Sequence, residues 1–316
     1  MPATSFGLPQ MYASRPGALP ARFRRERVLI VGCGDVGLRS VRLLRARVSV
    51  MALTSNDTRV GELRAQGVRP LLGNLDDRRS LRRLSGLATR VLHLAPPPGH
   101  GRDDPRTAAL LQALVRRGQA VSLVYGSTTG VYGNCEGRWV GETDRVQPTT
   151  DRAHRRVAAE DWVRHFGAAL GIRASVLRIP GIYALDRPGS TPRDRLLRKM
   201  PVLRAEEDVY TNHIHADDLA RACVLALWRA QPMRVYNVSD DSDMKMGDYY
   251  DLAADLCGLE RPKRISKADA RAQLTPMTLS FMGESRRLVN QRLSKELRVR
   301  LAYPTVRQGL LPGADT

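Results

Sequence analysis

The sequence predicts an α/β protein, a doubly wound parallel sheet with a smaller α/β lobe built from its C-terminal residues. Three observations carry that prediction. Short β-branched runs alternate with helically spaced apolar residues from Arg27 onward. A glycine-rich turn sits between the first such run and the first such helix. After Gly181 the alternation loosens, and Pro188, Pro192, Pro201, Pro232, Pro262 and Pro276 punctuate shorter elements. A strand–helix rhythm of this kind builds a parallel sheet covered on both faces.

The elements follow in order. Val28–Val31 is a short apolar run ending at a glycine, as a buried parallel strand should be. Residues 36–46 follow with Val36, Val41 and Leu44 at helical spacing, then a strand at Val48–Leu53 and a helix at 58–66. Val68–Leu72 predicts a strand, 77–85 a helix, Val91–Leu94 a strand, and 105–117 a helix with Leu110, Leu111, Leu114 and Val115 inside. Val121–Tyr125 predicts the next strand, 151–166 a longer helix and Ser175–Ile179 a further strand. The domain reading is therefore a disordered arm over 1–26, a cofactor-binding sheet domain over 27–180, and a substrate-side lobe over 181–316, with 210–240 returning to the sheet.

Composition narrows the function. The 316 residues are 42% hydrophobic, enough for a packed core, so wholesale disorder is excluded. No apolar run reaches the roughly 18 residues of a membrane span. Cys33, Cys135, Cys223 and Cys257 form no CxxC pair, which argues against a cysteine zinc site or disulfide scaffold and for packing thiols in the cytoplasm. The net charge of +19 comes from 46 arginines against five lysines, dispersed along the chain. Dispersed arginine is a compositional bias more than a phosphate footprint, so nucleic-acid binding ranks last among the readings, although such a charge favours anionic ligands.

Gly32-Cys33-Gly34-Asp35-Val36-Gly37 is GxGxxG in the strand–turn–helix context that gives the motif its meaning. The first glycine permits the tight turn, the second lets backbone approach a pyrophosphate, and the third allows close helix–strand contact. The helix end offers unpaired N–H groups to the phosphates. This points to a nicotinamide dinucleotide, NAD or NADP. The next strand ends Thr54-Ser55-Asn56 with Arg59 nearby and no acid before Asp57. An acid there binds a ribose 2′-hydroxyl and repels a 2′-phosphate, so its absence favours NADP.

Further segments give a resemblance. Gly73-Asn74-Leu75-Asp76, Leu92-His93-Leu94-Ala95-Pro96, Ser127-Thr128-Thr129-Gly130-Val131-Tyr132-Gly133, Arg178-Ile179-Pro180-Gly181-Ile182-Tyr183, Asn212–Leu219 and Tyr236-Asn237-Val238 lie in order along the chain. Together with the glycine loop they resemble the extended short-chain dehydrogenases/reductases, the NAD-dependent epimerases and dehydratases. The resemblance implies the Rossmann form of the sheet. It places Asn74, Leu75, Leu94, Ala95, Pro96 and Pro180 along the cofactor and Thr128 at the family's catalytic Ser/Thr.

One departure limits what carries over. The family's acid–base pair is Tyr-x-x-x-Lys on the helix after the VYG segment; aligned on Glu160, this chain has Arg152 and Arg156 there. Arginine stays protonated in proteins and is no general acid–base at neutral pH. Glu160-Asp161-Trp162 and Ser285–Asn290 are similar to an atypical, YeeZ-like branch that lacks the pair. Tyr132 and Tyr183 are then the remaining phenols near the expected pocket. Arg152, Arg156 and Arg178 either converge on an anionic substrate or pair with acids such as Glu142 and Glu160. His213-Ile214-His215 puts two imidazoles on one strand face, but Asp217 or Asp218 opening the next helix explains the segment without a metal. Three readings stay open: an NAD(P)-dependent oxidoreductase or epimerase of a small carbonyl or sugar-type substrate with a non-standard acid–base group, a catalytically inactive NAD(P)-binding regulator or scaffold, and a basic nucleic-acid-associated protein. The partners implied are a small substrate, anionic if the arginines converge, and a second copy in a homodimer.

Overall fold

A computed structural model describes residues 26–115, 120–187 and 191–311. The strands β1 (Arg27–Val31), β2 (Ser49–Thr54), β3 (Arg69–Leu72), β4 (Arg90–His93), β5 (Ser122–Thr128), β6 (Arg173–Ile179) and β7 (Val235–Asn237) form one sheet. Its order is β7-β6-β5-β4-β1-β2-β3 and every pairing is parallel. Helices α1 (Asp35–Leu44), α2 (Arg59–Ala65), α3 (Pro105–Leu114), α4 (Asp151–Leu170) and α5 (Ala216–Arg229) accompany it, and α6 (Met246–Cys257) lies in the lobe beyond it. The order reverses at β1, so the crevice outside the carboxyl ends of β1 and β4 is where such a sheet binds ligands.

Strand alternation sorts the core into two layers. Val28, Ile30, Leu92 and Val124 face α1 and α5 through Val41, Leu44, Leu219, Cys223 and Leu227. Leu29, Val31, Val91 and Leu123 face α3 and α4 through Leu110, Leu114, Ala159, Val163 and Phe166. Beyond the sheet, Tyr183, Tyr249, Ala253 and Leu310 build one small core and Leu203, Met246, Ile265 and Met282 another. Short pairs staple this lobe down, among them Gly181–Tyr183 with His213–His215 and Trp139–Val140 with Arg287–Leu288.

Several sequence expectations change here. The helix expected over 77–85 is a single 3-10 turn, Ser80–Leu84. The helix expected over 151–166 runs on to Leu170, because Gly171 supplies the left-handed cap at φ 64° one turn later than the apolar pattern ends. The helix α5 is capped by His215, whose Nδ1 accepts from the Asp217 amide at 3.3 Å, and not by an aspartate. Asp218 is instead buried, accepting from the amides of Ala302 and Tyr303 at 2.9 Å each. Glu26, placed in the arm by the sequence, belongs to the fold. Its carboxylate accepts from Arg90 at 2.6 and 2.8 Å and from the Trp228 indole at 2.8 Å. The rest of that arm lies outside the described residues.

Candidate functional site

The glycine turn is built by close approach. Gly32 has φ +87°, and a Cβ there would stand 2.3 Å from the Ala95 amide nitrogen, so only glycine serves. At Gly37 a Cβ would stand 3.2 Å from the Gly32 carbonyl oxygen, which seats α1 tightly against the turn. Gly34 differs from both, since a Cβ there would meet no protein atom within 4 Å. It would enter the open cleft. Gly34 is also the N-cap of α1, with no side chain capping the first amides. These amides and that empty approach fit a pyrophosphate.

Two adjoining cavities flank the turn. One, of about 450 Å³, is lined by Gly32, Gly34, Thr54, Ser55, Asn74, Leu75, Leu94, Ala95 and Pro96, with Arg59 and Arg106 at its wall. The second, of about 320 Å³, is lined by Gly32, Gly34, Asp35, Val36, Gly37, Leu94, Thr128, Arg156, Pro180 and Arg187. Every residue that the sequence placed along the cofactor therefore lies on one continuous cleft. Arg59 donates to the Cys33 carbonyl at 2.9 Å and pairs with Glu62 at 3.1 Å. Asp35, a negative charge beside the phosphate position, is offset by Arg39 at 3.1 Å and Arg187 at 3.2 Å. The buried Arg39 also pairs with Asp217 and Asp186, tying α1 to α5 and to the lobe. Burial pushes the Cys33 thiol up to about 11, as befits a packing thiol.

A third cavity, of about 540 Å³, continues from the second through Thr128, Pro180, Ile182 and Arg187. Arg152, Tyr210, Asn212, Met246, Phe281, Glu284 and Arg286 complete its wall. Thr128 accepts from the Gly130 amide at 3.2 Å. Its Oγ1 and the Oε2 of Glu284 lie 3.6 and 3.9 Å from the point a Cβ on Gly130 would occupy, so the two converge there. Glu284 accepts from Thr149 Oγ1 at 3.0 Å and from Arg286 at 2.8 Å.

Three sequence candidates fall elsewhere, and a fourth, Arg156, is engaged by the protein itself. Tyr132 is buried, its hydroxyl donating to Asn237 Oδ1 at 2.7 Å, and desolvation raises its pKa. It lines none of the three cavities. Tyr183 is buried in the lobe core with its hydroxyl on the Thr305 carbonyl at 3.4 Å and the Gly309 backbone packed against its ring. Arg178 is consumed by Glu160, which accepts from its Nε at 3.1 Å and from its Nη2 at 2.8 Å inside the protein. Arg156 reaches the second cavity, but its guanidinium donates to the Tyr125 hydroxyl at 3.0 Å and the Gly126 carbonyl at 2.8 Å. Of the three arginines expected to converge, Arg152 alone lines the third cavity. The sequence reading gave no site role to Arg187, Glu284 or Arg286; Glu284 immediately precedes, and Arg286 lies within, the Ser285–Asn290 segment that it had singled out only for its resemblance.

The model of the NAD dependent epimerase/dehydratase family matches residues 28–239. The chain belongs to that family. A functionally unknown conserved protein from Silicibacter pomeroyi is 31% identical, with a TM-score of 0.72 over 90% of this chain and 96% of that one. UDP-glucose 4-epimerase from Thermotoga maritima, solved with UDP-glucose, is 18% identical and shares the fold, with a TM-score of 0.74 over 92% of this chain and 97% of that one. A trifunctional UDP-glucose 4,6-dehydratase, epimerase and reductase of Arabidopsis thaliana is 26% identical over 165 residues. That match covers 48% of this chain and only 24% of the plant protein. Among the described residues no helix of this family member is long and apolar enough to cross a membrane.

Proposed function

We propose that this protein is an NAD(P)-dependent oxidoreductase or epimerase-type enzyme acting on a small carbonyl or sugar-type substrate, with an acid–base group other than the family's tyrosine. The observation that carries this reading is the continuity of the glycine-turn cleft with the third cavity, through Thr128, Pro180, Ile182 and Arg187. A nicotinamide dinucleotide, when bound, supplies hydride chemistry. Gly32, Gly34, Gly37 and the first amides of α1 hold its pyrophosphate, and Thr54, Ser55, Asn74 and Leu75 its adenosine end. The lack of an acid at Thr54–Asn56 and the cationic Arg59 at the wall support NADP over NAD.

On the substrate side, the Thr128 hydroxyl orients a carbonyl or hydroxyl oxygen. Among the described lining residues, Glu284 and Tyr210 are the acid or phenol able to exchange a proton. Glu284 is the assigned group, because its carboxylate converges with Thr128 above Gly130. The test is turnover of a carbonyl panel with NADPH. We expect Glu284→Gln to lower kcat by about 10²–10⁴, the usual worth of a positioned acid–base group, and Tyr132→Phe to leave it unchanged. The regulator reading is favoured by one observation, Arg152 and Arg156 at the positions of the Tyr–Lys pair. Dinucleotide binding with no turnover of any carbonyl would establish it in place of the enzyme.

A further inference from the structure

The first turn and a half of α4 holds an imbalance of charge. Asp151 is taken by Arg102 at 2.9 Å. Arg155 donates to the Gly101 carbonyl at 2.6 Å, and Arg156 to the Tyr125 hydroxyl and Gly126 carbonyl, all neutral acceptors. Arg152 has less still. Among the described residues it donates no hydrogen bond and has no carboxylate at ion-pair distance; its guanidinium lies over the Phe281 ring, 4.7 Å from the centroid. It occupies the second position of a 20-residue helix, where the helix dipole presents its positive end and disfavours a cation. Desolvation lowers its pKa, the pull of Glu284 opposes that shift, and repulsion from Arg156, Arg155 and Arg286 adds to it.

The cavity that Arg152 lines repeats the excess. Its described wall carries three guanidinium groups, Arg152, Arg187 and Arg286, against one carboxylate, Glu284. Arg286 is paired with Glu284 and Arg187 with Asp35, so Arg152 is the cation left uncommitted. Phe281, Met246 and Ile182 line the same space with apolar surface. A guanidinium over a ring with no hydrogen bond of its own keeps its N–H groups for bidentate contact with an oxyanion.

We propose that Arg152 anchors a small anion, a carboxylate or phosphate group borne by the substrate, in the cavity beside the glycine-turn cleft. This deepens the reading above and rests on it, since the anion is placed next to a dinucleotide. The substrate then has an oxyanion at one end, seated at Arg152 with Arg286 beyond it, and its reacting carbon toward Thr128.

The experiment titrates malonate and inorganic phosphate, separately, into the full chain saturated with NADPH, so that the glycine turn is already filled. Calorimetry should detect at least one of the two, and which one binds separates the carboxylate from the phosphate form of the proposal. Arg152→Ala and Arg152→Gln should each weaken that binding at least tenfold, with the NADPH Kd within twofold of wild type as the check on folding. Anion binding that survives both substitutions, or fails in the wild type while NADPH binds, overturns the anion site and leaves the enzyme reading standing. Failure of NADPH itself to bind the wild-type chain brings down the underlying reading and the proposal with it.

Discussion

Arg178 and Glu160 show how one pairing redirects a residue's role. Both side chains are almost wholly buried, and the guanidinium also lies 4.6 Å over the Tyr132 ring. Ser127 adds a hydroxyl to the same carboxylate at 2.7 Å. Two desolvated charges hold each other, so removing one strands the other. Glu160→Gln should cost about 3–5 kcal/mol in urea unfolding, whereas the paired Arg178→Met, Glu160→Leu change should cost far less. Equal losses in the single and double variants would mean that the ion pair does not govern stability here. In sequence, Arg178 carried two readings, convergence on an anionic substrate or pairing with an acid such as Glu142 or Glu160, since nothing local says which of several arginines finds the acid. Glycines are more legible. Gly32, Gly34 and Gly37 differ in what a Cβ would meet, as the spacing alone predicted.

At the scale of elements, α3 begins on a buried relay. Asp104 caps it, accepting from the Thr107 amide at 3.1 Å and the Thr107 hydroxyl at 2.7 Å. The Thr107 proton is thereby spent, so the 2.9 Å contact with His93 requires Nε2–H of His93 to donate, leaving Nδ1 bare. Burial first, and the nearby Arg156 second, push the His93 pKa down to about 3. A histidine whose folded pKa lies below its unfolded value near 6.5 contributes stability above pH 6.5 that is lost as pH falls toward 3. His93→Gln should flatten the fall in unfolding free energy between pH 6.5 and 4 by up to about 1.4 kcal/mol per pH unit. Parallel slopes in wild type and variant would refute the buried neutral imidazole. His213, also pushed down to about 3 by burial, keeps part of the acid sensitivity in both. Element boundaries were less legible than element order: 77–85 lacked the apolar spacing to sustain more than a turn, and α4 ended on a glycine cap beyond its periodic residues.

Across the whole molecule, the parallel sheet and the turn at its switch point were readable because strand alternation and glycine spacing are local signals. The third cavity was not. Its wall combines α4, the Gly181–Tyr183 strand, Tyr210–Asn212 and the Phe281–Arg286 segment, brought together only by the packing of the lobe on the sheet. That is why Glu284 and Arg286 escaped a reading whose cofactor candidates all line the glycine-turn cleft, and why Arg187, shared by that cleft and the third cavity, escaped it as well. The account stands on that cleft taking a nicotinamide dinucleotide, and Gly34 isolates the claim, because a Cβ there meets no atom beyond its chain neighbours within 4 Å and points into the cleft. The decisive measurement is calorimetric titration of NADPH and NADH into wild type and Gly34→Asp, with thermal unfolding of both. The account predicts one dinucleotide per wild-type chain, NADPH at least as tight as NADH, and binding weakened at least a hundredfold in Gly34→Asp at an unchanged Tm. A wild type that binds neither dinucleotide, or a folded Gly34→Asp that binds as well as wild type, would contradict it.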